Sequence, residues 1–134
     1  MIRLHILVDA HGPDGLGYLL ENASGTTLYT NPATGISVTA TFRTLNRDVR
    51  VSGTGDGTLT ILAFTTQVVQ FDGPDGERLF LNAGAAQAVL LVDNGGTPID
   101  PTDDEVIDFS LVRSVGRDDT FDRDFCTDMK ALLG

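Results

Sequence analysis

The chain has 134 residues, enough for one domain with a sizeable core, and 41% of them are apolar although tryptophan is absent. Nineteen acidic against nine basic residues set a formal net charge of −10, which repels phosphate backbones and anionic lipid and argues against nucleic-acid and membrane-surface roles. No run is long and apolar enough for a transmembrane span, and the lone Cys126 excludes an internal disulfide and is expected to be a buried thiol.

Taken in order, Ile2, Leu4, Ile6 and Val8 alternate with Arg3 and His5 as a first strand, with His5 on a solvated face. As a leader, Met1 to Asp9 is too short and too interrupted by charge, so the chain as written is expected in the cytoplasm. Gly12-Pro13-Asp14-Gly15 reads as a turn, followed by a strand over 16–20 and a threonine-rich strand over 26–30. After the turn at Asn31–Gly35, Ile36, Val38, Ala40 and Phe42 alternate with Ser37, Thr39, Thr41 and Arg43: one side is core, and the other is wet or lines a polar cavity. Asn46-Arg47-Asp48 reads as a further turn leading into the central hairpin, Val49 to Phe64, which reverses at Asp56-Gly57. Its outgoing strand carries Leu59 and Ile61 on one side and Leu62 and Phe64 on the other, as expected of a strand covered on both faces.

Strands over 68–71 and 77–81 flank a second Gly-Pro-Asp-Gly, Gly73 to Gly76, which we read as reuse of a good turn because the similarity fades within about ten residues. Ala88 to Val92 forms another interior strand, Asp93 to Asp104 the longest loop, and 105–113 the last strand. Phe121, Phe125, Met129 and Leu132 recur at helical spacing, predicting a helix over 121–132 capped by Asp119 or Thr120. The whole reads as a single all-β domain, 1–134: an antiparallel β-barrel or sandwich of about nine or ten strands with one C-terminal helix.

Thr30 to Val38, Gly55 to Leu62, the second Gly-Pro-Asp-Gly, Asn94 to Glu105 and Arg123 to Cys126 resemble segments of small uncharacterised β-rich proteins of actinobacteria. The resemblance brings no activity. It implies an extracellular protein, with a signal peptide and an upstream cysteine able to pair with the one near the C-terminus; the chain as written shows neither, so either its start is truncated or this member stays inside the cell.

No nucleophile elbow, phosphate loop, dinucleotide fingerprint or zinc motif occurs, so no cofactor is expected. The densest polar group is Asp93, Asn94, Asp100, Asp103, Asp104 and Glu105. Its carboxylates offer the oxygens that calcium needs, but their spacing matches no calcium loop, and aspartates also close turns through backbone hydrogen bonds. The leading functional expectation is a non-enzymatic barrel that binds a small apolar molecule, with Ser37, Thr39 and Thr41 facing the ligand. The alternatives are a cofactor-free isomerase or cyclase working in such a cavity, and a structural or interaction protein with no internal pocket, whose acidic surface and sheet edges meet a partner.

Overall fold

Polar and glycine-rich interruptions that look like breaks in the sequence are carried through by pairing on both sides, so short runs merge into long strands. The computed structural model describes residues 1–134 as β1 (Ile2–Val8), β2 (Gly17–Thr30), β3 (Ser37–Gly53), β4 (Thr58–Asp72), β5 (Arg78–Asp93), β6 (Glu105–Asp118) and a helix, α1 (Phe125–Leu133). The strands form one antiparallel sheet in simple sequence order, β1 to β6. Asn46-Arg47-Asp48, expected as a turn, lies inside β3, held by Glu21 and Leu20 of β2 and by Thr65, Phe64 and Ala63 of β4. In the same way Asn82 to Ala86 continues β5 between β4 and β6. The expected nine or ten strands are therefore six, and the expected barrel or sandwich is an open single sheet: β1 is bonded only to β2, and β6 only to β5.

Both Gly-Pro-Asp-Gly segments are turns, at β1–β2 and β4–β5, and the central hairpin reverses at Thr54–Gly57 as the sequence predicts. Side chains directly opposite in these registers share a face. Val38, Ala40, Phe71 and Met129 form a cluster at one end of what we call the core face, with Tyr29, Val69 and Phe80 packed against it. At the other end Val51, Leu59, Ile61 and Val92 are covered by Tyr18 and Leu16. A Cβ on Gly17 would run into the Ile99 carbonyl, and its N–H donates to the Pro98 carbonyl at 2.9 Å, so only glycine lets the β5–β6 loop lie on the start of β2. No second layer covers the opposite face. Leu62 and Phe64 lie there, partly shielded, with the Arg47 guanidinium 5.2 Å from the Phe64 ring.

The helix is shorter than the sequence predicts. It starts at Phe125, with Asp124 rather than Asp119 or Thr120 as the cap, accepting from the Thr127 N–H at 3.1 Å. Phe121 stays outside, 73% exposed. Nine residues make a marginal helix alone. Met129 holds it to the sheet, Phe125 packs within 5.7 Å of the Tyr29 and Phe71 rings, and Asn31 Nδ2 and Thr34 Oγ1 donate to the Leu133 carbonyl. Cys126, expected to be buried, faces solvent, because the stripe of Phe125, Met129 and Leu132 turns it away from the sheet.

Candidate functional site

The acidic loop is built from side-chain to backbone hydrogen bonds. Asp93 accepts from the Gly95 N–H at 3.0 Å, Asn94 from Gly96 at 2.9 Å, and Asp100 caps a single 3-10 turn over Pro101–Asp103 by accepting from Thr102. Asp103 accepts from the Thr97 hydroxyl. Thr102 bonding holds Asp100 below the usual carboxylate range. These oxygens take up the loop's own N–H and hydroxyl groups, and no three of the His, Cys, Asp and Glu side chains are grouped to hold a metal ion. Asp104 differs from its neighbours. Its Oδ1 is buried without a partner in the protein, and burial, reinforced by Asp103, Asp48, Asp100 and Asp93, pushes its pKa up to about 6.

Ser37, Thr39 and Thr41 alternate with buried Val38 and Ala40, as expected, but they lie on the side away from both apolar clusters. Ser37 is hydrogen-bonded to Thr30 at 2.8 Å, and Thr39 and Thr41 sit opposite Asp72 and Gln70. The alternation is as the sequence predicts, and of the two readings for this face, wet or lining a polar cavity, the open sheet leaves it facing solvent.

What the geometry presents instead is two open edges. Every residue of β1 and of the 14-residue β6 is exposed. On β6, Val106, Ile107, Phe109, Leu111, Val112 and Val115 are each more than half exposed; on β1, Ile2, Leu4, Ile6, Leu7 and Val8 are between 39% and 71% exposed. Only 12 of the 134 residues are buried, and the solvent-accessible surface is 8319 Å². A folded monomer of 14.3 kDa exposes about 6,800 Å² on the usual scaling, so this chain carries an excess of about 1,500 Å². Natural edge strands are kept from pairing by shortness, charge or bulges. β6 is long and carries six large apolar residues, and its devices are bulges at Ile107 and Val112 and the charges at Glu105, Asp108, Arg113, Arg117 and Asp118.

The charges are sorted as well. Following the registers, Arg3, Arg43, Arg47, Arg50, Arg113 and Arg117, six of the nine cations, lie on the face away from the core clusters. Arg3, His5 and Arg43 line a groove of about 550 Å³ beside β1, with Asn22, Ser24 and Thr66, and no carboxylate lines it. A second groove of about 310 Å³ crosses β4 to β6 over Gly84 and Gly116. In the sequence, the alternation of β1 and the apolar residues of 105–113 were visible. That both would be edges was not, since strand order is set by pairing over the whole sheet. No protein-family model, curated protein or solved structure matches the chain.

Proposed function

We propose that this is a structural or interaction protein that docks protein partners by adding strands to its open sheet edges. The observation that carries this reading is β6: fourteen consecutive exposed residues with six large apolar side chains and one unpaired row of backbone donors and acceptors. An added strand satisfies that row by main-chain hydrogen bonding and covers alternate side chains, which is the physics of β-augmentation. The acidic loops keep the rest of the surface soluble and self-repelling, so that association is confined to the edges. An enclosed pocket for a small apolar ligand needs a closed wall, whereas the apolar side chains here are packed in two end clusters or stand at the edges.

The test is the double variant Phe109→Lys/Leu111→Lys, which alters two side chains that lie in water. Size-exclusion chromatography with light scattering should show the wild type associating, with itself or with an added partner, and the variant not, while the melting temperature changes by no more than about 2 °C for such surface changes. Association of equal strength in the variant would rule out β6 as the docking edge.

A further inference from the structure

We infer that the partner at these edges is a second copy of this chain, joined head to tail: β1 of one copy pairs antiparallel with the Glu105–Leu111 half of β6 of the next. The inference rests on the edge-docking reading above and names its occupant. Topology supplies the first argument. Six strands in simple antiparallel order leave β1 and β6 running in opposite directions. A copy placed beside another in the same orientation therefore meets its neighbour's β6 with an antiparallel β1, and the core faces of both copies stay on the same side.

Pattern supplies the second. On the core face β1 presents Ile2, Leu4 and Ile6, and β6 presents Val106, Phe109 and Leu111. On the other face β1 presents Arg3, His5 and Leu7, and β6 presents Glu105, Asp108 and Ser110. Six residues of β1, Ile2 to Leu7, match the six residues of Glu105–Leu111 that remain once the bulge at Ile107 is set aside. With Ile107 left as the bulge it already forms against β5, Ile2 falls opposite Leu111, Leu4 opposite Phe109 and Ile6 opposite Val106, while Arg3 falls opposite Ser110 and His5 opposite Asp108. Apolar meets apolar on one face. On the other, the carboxylate-free groove around Arg3 and His5 lies beside the neighbour's Asp108, an unlike-charge contact that fixes register.

Exposure supplies the third. Every residue of both edge strands is exposed, and in a head-to-tail series each copy takes part in two joints, so that both edges are covered. A two-fold β6–β6 dimer would use one patch and leave β1 uncovered. Because the joint uses two different patches, it repeats, closing into a ring or continuing as a filament.

The inference is tested by disulfide trapping in a Cys126→Ser background. The double variant His5→Cys/Asp108→Cys, oxidised, is expected to give a ladder of linked chains on non-reducing gels, while His5→Cys or Asp108→Cys alone gives none. Linked dimers from Asp108→Cys alone would overturn the head-to-tail joint in favour of a β6–β6 contact and leave edge docking standing. An intrachain bridge in a monomer would overturn both. A complementary pair of variants keeps the test decisive if cysteine disturbs the edge: Arg3→Glu and Asp108→Arg should each weaken self-association on the order of tenfold, and mixing the two proteins should restore it, because every joint then pairs unlike charges again. Wild type that stays monomeric at millimolar concentration excludes a second copy, and the Phe109→Lys/Leu111→Lys comparison with an added partner then decides the docking reading separately.

Discussion

Replacing Asp104 with asparagine should stabilise the protein at neutral pH and have almost no effect at pH 3. In the folded chain its carboxyl is raised to about 6 by burial and by the neighbouring aspartates, from 3.8 when unfolded. The folded state therefore holds this proton more tightly. Below pH 3.8 both states are protonated and the group is neutral to stability; as pH rises towards 6 the folded state must accept an unfavourable charge, and above 6 the penalty is constant. The shift alone corresponds to at most about 3 kcal/mol at neutral pH. Asp104 is partly open to solvent, and screening there leaves about 1 kcal/mol, or about 3–5 °C in melting temperature for a domain of this size. Asp48 adds to the trend in the same direction, since burial outweighs its hydrogen bond from Leu19. Thermal melts of wild type and Asp104→Asn from pH 3 to pH 8 should coincide at the acid end and separate across the interval from about 4 to 6. A variant less stable than wild type at pH 7, or a gap that is the same at every pH, would refute the reasoning.

Other expectations follow from single contacts. Calcium and magnesium should give equal, small shifts in melting temperature, because the loop carboxylates already accept from Gly95, Thr102 and Thr97; a selective calcium shift lost in Asp100→Asn/Asp103→Asn would make the loop a metal site. Met129→Ala should cost about 2–4 kcal/mol in denaturant unfolding and loosen α1, since this side chain is the helix's buried anchor; a cost under about 1 kcal/mol would show that the helix is not needed by its cluster. Gly116→Val should destabilise by more than about 2 kcal/mol, because a Cβ there would strike the Ala83 carbonyl and Gly84 of β5 at a φ of 149°; a melting curve like that of wild type would contradict the close β5–β6 approach. Cys126 should react fully with a thiol reagent in the native protein, whereas labelling only after unfolding would place it in the core.

Much of the fold is legible in the residues, and the part that is not has one cause. The alternation of β1 and of Ser37 to Arg43, the two Gly-Pro-Asp-Gly turns and the reversal at Asp56-Gly57 depend on local chemistry, and the structure has them where the sequence puts them. Asn46 to Asp48 reads as a turn, and Glu21 to Gly25 and Asn82 to Ala86, polar or glycine-rich in composition, fall between the strands the sequence predicts; as strand they are held by ladders on both sides, and Gly25 is needed beneath the Phe42 ring, 2.8 Å from where a Cβ would lie. A barrel and an open sheet have the same local pattern and differ only in whether β1 meets β6. The helix was visible in its apolar stripe but misplaced at its start, since Asp119 is committed elsewhere: it accepts from the Leu81 N–H and pairs bidentately with Arg117, closing the end of β6. The acidic loop was legible as turns, while the unpartnered oxygen of Asp104 belongs to the packing of β2 and β3 against that loop.

The most direct test of edge docking is amide hydrogen exchange across a dilution series, read segment by segment. Protection of Ile2–Val8 and Glu105–Leu111 should rise with protein concentration while that of β3 and β4 stays constant, because strand addition satisfies only the outward backbone groups of the two edges. Exchange in β1 and β6 that is fast and identical at every concentration, beside a protected centre, would contradict pairing between copies at these edges.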